Sequence, residues 1–154
     1  DSVDSAAMLD GMGVLIMGST TYEWLVQHEN LVENPAGWAE FYGELPTVVF
    51  TSRELPVISG ANIQFVRGEV AAVWPQIEAL AGGLNVWLMG GGDLVGQFAD
   101  ARHLDQIKVS VAPVTLGSGR PLLPRRIGSD RLTPVSVAKA GAFAELTYAV
   151  ALAS

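Results

Sequence analysis

The stretch Asn85-Val86-Trp87-Leu88-Met89-Gly90-Gly91-Gly92-Asp93-Leu94 runs an apolar strand into three glycines and then into an amphipathic helix. Without Cβ atoms the backbone can take positive φ and let another molecule come close. The unpaired N–H groups that open the next helix point at whatever lies above it, which is the chemistry of a phosphate-binding turn. Met17-Gly18-Ser19-Thr20-Thr21 repeats the construction of strand, glycine and helix start. One such turn is common punctuation, but two on one sheet edge suggest a ligand with more than one phosphate. A third segment, Thr51-Ser52-Arg53-Glu54-Leu55, follows a strand and sets two hydroxyls beside a guanidinium. Arginine can bond two phosphate oxygens at once and the hydroxyls can donate, so this reads as a cradle for a phosphate monoester or as an exposed capped turn. Two bridging turns and one separate monoester site are what NADPH presents.

The familiar nucleotide signatures are not met. Gly90-x-Gly92 is followed by Val95 where the dinucleotide fingerprint needs its third glycine, Gly96 comes one residue late, and no G-x-x-x-x-G-K-S/T occurs. His28 and His103 lie far apart with no i, i+4 partner, so neither reads as a metal ligand or a base, and no metal site is expected. No triad spacing appears, and the catalytic group stays unassigned. Arg120, Arg125, Arg126 and Arg131 concentrate in one loop, which is either a solvated turn or an anchor for an anionic, phosphorylated substrate. Trp24, Trp38, Trp74 and Trp87 suit core packing.

The elements that must position these residues follow from period and punctuation. Val14 to Met17 is a short apolar run ended by Gly18, a strand buried on both faces. Thr20-Thr21-Tyr22-Glu23 has the form of a capping box, predicting a helix to about Gln27. Asn30 to Leu45 reads as a loop with a helical turn around Trp38 to Tyr42. Thr47 to Thr51 and Ile63 to Val66 are strands. From Val70 to Ala81 apolar positions recur at helical spacing, stopped by Gly82-Gly83, and Pro75 is then expected in the first turn. Leu94, Val95, Phe98 and Ala101 mark a helix ending near Arg102. Gln106 to Val111 alternates as a half-buried strand, and Leu132 to Lys139 with Phe143 to Leu152 reads as a closing antiparallel hairpin.

The chain's 154 residues suit one domain. Hydrophobic residues make up 49% and charged ones 16%, a sparsely charged surface that favours a homodimer. Nine Lys+Arg against sixteen Asp+Glu leave a formal charge of -7, which argues against general nucleic-acid or membrane-surface partners. Zero cysteines exclude disulfides, thiolate metal sites and thiol nucleophiles and fit a cytoplasmic setting. No apolar run spans a bilayer, and Asp1 to Ser5 has neither region of a signal peptide.

Four segments in this order resemble the dihydrofolate reductase-like superfamily, and more closely its branch related to the reductase domain of riboflavin biosynthesis. Met17-Gly18-Ser19-Thr20-Thr21-Tyr22-Glu23 is similar to M-G-R-x-T-[YW]-E, Ser52-Arg53-Glu54-Leu55 to an S-R-x-L turn, and Val86 to Gly92 to a glycine-pair strand and turn. Val114-Thr115-Leu116-Gly117-Ser118-Gly119-Arg120-Pro121-Leu122-Leu123-Pro124 is similar to the loop after that branch's sixth strand. The resemblance implies that Gly18, Ser19, Thr20 and Thr21 and Gly90, Gly91, Gly92, Asp93 and Leu94 bracket a pyrophosphate. It puts Ser52 and Arg53, beside Thr51, on a 2′-phosphate, Arg67 near the adenine, and Ser110 at a substrate-side hydroxyl position; Arg120 is the substrate-binding candidate of the loop. Ser19 stands where many relatives carry arginine, which removes one cationic contact and bears on the choice between NADPH and NADH. The chain opens on what resembles the family's first helix, Ser2 to Leu9, without the nicotinamide-lining strand, so an incomplete N-terminus or a gap filled by a partner is expected; Asp1 or Asp4 corresponds to the helix that carries the family's proton donor, and neither is assigned.

The fold implied is an α/β dihydrofolate reductase-like three-layer domain over residues 1–154, with a mixed, mostly parallel sheet, helices on both faces and a C-terminal antiparallel hairpin. The expected activity is NADPH-dependent hydride transfer to a small heterocyclic or carbonyl substrate. The alternatives are a riboflavin-pathway reductase of a pyrimidine ribosyl phosphate, and a nucleotide-binding module without turnover.

Overall fold

The computed structural model describes residues 9–152. Its elements are β1 (Met12–Gly18), α1 (Ser19–His28), α2 (Ala36–Tyr42), β2 (Thr47–Phe50), β3 (Ile63–Val66), α3 (Val70–Ala81), β4 (Asn85–Gly90), α4 (Gly92–Asp100), β5 (Gln106–Val111), β6 (Leu132–Ala140) and β7 (Phe143–Val150). The expected class holds: helices alternate with parallel strands, and antiparallel strands close the chain. The chain divides into two compact units with the boundary between Leu94 and Val95. Apart from Leu9, the helix expected over Ser2 to Leu9 lies outside the described residues, as do Asp1 and Asp4.

In the first unit a four-stranded parallel sheet has the order β3-β2-β1-β4. A central parallel strand is covered on both faces, and Val14, Leu15, Ile16 and Met17 of β1 are accordingly all 0% exposed. Leu15 and Met17 join Tyr22, Val26, Trp38, Tyr42 and Val49 in the core under α1 and α2. Tyr22 meets Trp38 and Phe65 edge-on, at centroid distances of 6.4 and 5.4 Å. The helix α3 buries Val70, Val73, Ile77 and Ala81, the stripe its period predicts. Its end closes on β1 at Gly13, where a Cβ would overlap the Ala81 carbonyl oxygen. Only glycine allows that approach.

Several local expectations need correcting. Pro75 is not in the first turn of α3, because the helix begins at Val70 with Glu69 as its N-cap. A proline there removes the bond that Ala71 would accept, and burial of the apolar stripe offsets it. The capping box of Thr20 and Glu23 is absent: Gly18, with φ -88° and ψ 171°, is the N-cap of α1, and no side chain caps the helix. Starting at Ser19 makes Thr20 the second helical residue, two positions past the cap, so its hydroxyl cannot turn back on the first amides. The helical turn expected near Trp38 is the longer α2. Finally, α4 ends at Asp100, and Arg102, at φ +66°, has left the helix.

In the second unit β5, β7 and β6 form an antiparallel sheet in that order. Ile107 and Val109 of β5 are half-buried while Gln106, Lys108 and Ser110 are exposed, as period two requires. Ala140 pairs with Phe143 across the two-residue turn Gly141-Ala142, and Gly141 takes φ +60°. Among the described residues no helix is long and apolar enough to cross a membrane.

Candidate functional site

All four strands of the first sheet run parallel, so their carboxyl ends share one edge, where ligands of open α/β sheets bind. Along that edge Met17 is level with Gly90, Gly18 with Phe50, and Phe50 with Val66. The turn after β1 therefore stands beside the turn after β4. A Cβ on Gly18 would lie 3.8 Å from the Gly90 oxygen, the Gly91 nitrogen and the Leu94 Cδ2, and a Cβ on Gly90 would lie 3.9 Å from the Thr21 Oγ1. Gly18, Thr21, Gly90, Gly91 and Leu94 thus converge, with Ser19 and Thr20 in the first turn of α1 and Gly92 and Asp93 in that of α4. The peptide between Gly90 and Gly91 is cis. Asp93 is an acidic residue in the first turn of α4, the helix end where the glycines alone would favour an anion.

The next two strand ends carry the second part of the site. The Thr51 hydroxyl donates to the Arg53 carbonyl at 2.9 Å and accepts from the Arg53 N–H at 3.1 Å, which closes the turn on itself. Arg67, just past β3, donates from Nη2 to the Ser52 carbonyl at 2.6 Å. Ser52, Arg53 and Arg67 are therefore one cluster. Two tethers hold it to α1: Glu23 pairs with the Arg53 guanidinium, and the Tyr22 hydroxyl donates to the Pro56 carbonyl at 2.5 Å. Burial pushes the Tyr22 hydroxyl up to about 12, so it stays a donor at any physiological pH. With strands roughly 4.8 Å apart, the Ser52–Arg67 cluster lies about 10 Å along the edge from the paired glycine turns.

Glu23 is the residue that sequence reasoning misassigned. Its i+3 spacing from Thr20 fitted a helix cap, whereas a contact thirty residues on decides where its carboxylate goes. The remaining candidates belong to the second unit. Ser110 is exposed on β5 opposite Glu145 of β7, and Arg120 is exposed in the loop that follows β5. The loop arginines do not stay together: Arg125, Arg126 and Arg131 share a cleft with Arg102, and Arg120 is not part of its lining. His28 is stacked on Trp24 at 4.4 Å with an interplanar angle of 12°. Among the described residues no group of three or more His, Asp or Glu is placed to hold a metal ion.

Comparison with known proteins adds a family to this geometry. The model of the RibD C-terminal domain matches residues 41–143, a span that contains Ser52, Arg53, Arg67 and the Gly90 to Leu94 turn. The uncharacterized protein YwjB of Bacillus subtilis is 25% identical over 167 residues, covering 93% of each chain. Among solved structures, a putative riboflavin biosynthesis protein from Shewanella sp. PV-4 superposes with a TM-score of 0.69 at 19% identity, over 98% of this chain and 81% of that one. A diaminohydroxyphosphoribosylaminopyrimidine deaminase/5-amino-6-(5-phosphoribosylamino)uracil reductase from Thermotoga maritima gives 0.60 at 12% identity, over 98% of this chain and 49% of the other. At such identities the superpositions speak for the fold alone.

Proposed function

The chain belongs to the RibD C-terminal domain family, a reductase-type branch of the dihydrofolate reductase-like fold, and on that premise we propose that it is an NADPH-dependent reductase of a small heterocyclic or carbonyl compound. The observation that carries this reading is the meeting of two glycine turns at Gly18 and Gly90-Gly91, on the same edge as the Ser52, Arg53 and Arg67 cluster. A cradle that a Cβ would fill fits a pyrophosphate, whose oxygens need close access to backbone N–H groups. The amides opening α1 and α4 would hold the bridge, and Ser52 and Arg53 the 2′-phosphate. Bound there, the cofactor supplies hydride. The chain itself supplies position, which in a two-substrate reaction removes much of the barrier, and no distinctive nucleophile is required.

Ser19 and the Arg53–Glu23 pair bear on the cofactor preference. Arg53 does not stand free; it must exchange the Glu23 carboxylate for a phosphate. A second reading, reduction of a pyrimidine ribosyl phosphate, is favoured by the family match, and Ser110 and Arg120 are its substrate-side residues. A homodimer is proposed as well, the assembly that so sparsely charged a surface favours, and sedimentation velocity would report it.

Titration of the full chain with NADPH and NADH, followed by cofactor fluorescence, tests the cofactor reading. Saturable binding with NADPH preferred is the expected result, and absence of binding by either at millimolar concentration would sink it. Cofactor oxidation in the presence of carbonyl, pterin and pyrimidine acceptors then separates a reductase from a binding module, because the module turns over none of them.

A further inference from the structure

At the carboxyl-terminal end of α4 opens a cleft of about 400 Å³, whose lining includes Asp100, Arg102, Arg125, Arg126 and Arg131. The chain has nine cationic side chains in all, against sixteen carboxylates, and four of the nine face this one space. Arg125 grips Asp100, with Nε at 3.0 Å from both carboxylate oxygens and Nη2 at 2.8 Å from Oδ2, and it donates to the Pro124 carbonyl at 2.7 Å. Hydrogen bonds from Arg125 hold the Asp100 carboxyl below the usual carboxylate range, so the acid lining the cleft is ionised and already engaged. Among the described residues, Arg102, Arg126 and Arg131 pair with no carboxylate. Arg131 gives its Nε to the Ala151 carbonyl at 3.0 Å, which fixes the stem and leaves the terminal amino groups to the cleft.

A structural explanation covers part of this arrangement. The end of a helix favours a nearby cation, which accounts for one arginine, and the Asp100 pair accounts for a second. It does not account for two more guanidiniums, which repel their neighbours. Gly96 adds an independent sign of construction. A Cβ there would stand 3.0 Å from both Cζ and Nη1 of Arg125, so the guanidinium lies against bare helix backbone in the middle of α4. Glycine is a poor helix former, and at this position it leaves room for the arginine.

We propose that this cleft is an anion site in its own right, shaped for a small phosphate ester or diphosphate carrying two or more negative charges. Four guanidiniums against one carboxylate leave three positive charges, which matches a diphosphate better than a monocarboxylate. The planar forks suit phosphate oxygens, and the overall charge of -7 disfavours a nucleic-acid backbone as the source of that phosphate. The lining lies wholly within the unit of residues 95–154, and the proposal does not depend on the reductase reading.

The test is calorimetric titration of the full chain with inorganic pyrophosphate in saturating NADPH, which keeps the proposed cofactor edge from contributing a second pyrophosphate site. Arg102→Gln and Arg126→Gln are the main variants, since both side chains are exposed. Gly96→Ala displaces Arg125 without removing any charge. The proposal expects a Kd below about 1 mM, about tenfold weaker binding for each arginine removed, weaker binding in Gly96→Ala, and no change in Lys139→Gln, an exposed cation outside the cleft lining. Binding that survives the Arg102→Gln/Arg126→Gln double variant, or that falls equally in Lys139→Gln, would overturn it, as would no binding at all.

Discussion

Replacing Gly18 by alanine separates a ligand cradle from a structural turn. The backbone at Gly18 has φ -88° and ψ 171°, which any L residue adopts, and the new Cβ would meet the Gly90 oxygen, the Gly91 nitrogen and the Leu94 Cδ2 at 3.8 Å, an ordinary contact distance. Stability should therefore change little. Losing unfolded-state freedom gains about 0.4–1 kcal/mol, and alanine's inferiority to glycine as an N-cap gives back a similar amount. The net is within about 1 kcal/mol, or roughly 2–4 °C in Tm for a chain of this size. The cofactor meets a different situation, because the methyl occupies the gap between the two turns that phosphate oxygens need. An oxygen hydrogen-bonded at about 2.9 Å to an amide beside the gap would be pushed out by several tenths of an ångström. Loss of two charge-assisted bonds at about 1.5–3 kcal/mol each predicts at least 100-fold weaker NADPH binding. Thermal unfolding of the free protein and fluorescence titration with NADPH provide the two readouts. A folded Gly18→Ala protein that binds NADPH as the wild type does would refute the assignment of this edge, whereas a large fall in Tm would show the glycine to be structural.

Other perturbations test neighbouring steps. Gly13→Ala should destabilise by about 3 kcal/mol, since its Cβ would overlap the Ala81 backbone, where the carbonyl also accepts from Leu84 N–H at 3.0 Å; chemical denaturation showing less than about 1 kcal/mol would mean that α3 does not rest on β1 as described. Arg53→Gln should weaken NADPH binding about tenfold and leave NADH unchanged, while Glu23→Gln should strengthen NADPH binding by freeing the guanidinium; equal effects on both cofactors in competition titrations would remove the 2′-phosphate from this cluster. Tyr22, with its folded pKa raised from 10.0 to about 12, contributes stability that is complete below pH 10 and lost as the pH rises toward 12. The loss is at most a few kcal/mol, and Tyr22→Phe should reduce the alkaline slope, leaving the part due to Tyr42, whose hydroxyl burial also raises, while losing about 1 kcal/mol at neutral pH with the bond to Pro56. An unchanged slope in unfolding curves between pH 10 and 12 would assign it to other groups.

Where a residue's fate depends on its near neighbours, the sequence spoke clearly. The apolar run at Val14 to Met17 is the buried centre of the parallel sheet, the stripe from Val70 to Ala81 is the buried face of α3, and Gly82 ends that helix in the left-handed conformation at φ +59°. The glycine turns were legible for the same reason, because a strand followed by glycine and a helix start is a local pattern. Side-chain partners distant in sequence were not. Glu23 looked like a cap because its partner, Arg53, belongs to another strand's turn, and Thr51 looked like a ligand donor although it closes its own turn. Arg102 lay outside the arginine-rich loop, and nothing in its spacing shows that leaving α4 at φ +66° brings it to Arg126 and Arg131. Pro75 was misplaced because propensity has no knowledge of the core against which α3 continues through it.

The proposed cofactor edge also differs in kind from a rim of free cations. Its bridging part offers backbone amides and Asp93 rather than positive side chains, and Ser19 adds no charge. Its monoester part offers a guanidinium that a carboxylate already holds. Binding there is an exchange: a phosphate of charge near -2 replaces a carboxylate of charge -1 on Arg53, and only the difference appears as affinity. A nucleotide without the 2′-phosphate gains nothing from breaking that pair and leaves it intact. On the proposed cofactor reading, discrimination between NADPH and NADH would rest on Glu23 as much as on Arg53, which is why the two substitutions should move NADPH affinity in opposite directions. A chain of charge -7 can select one phosphorylated ligand in this way without presenting a surface that attracts every polyanion.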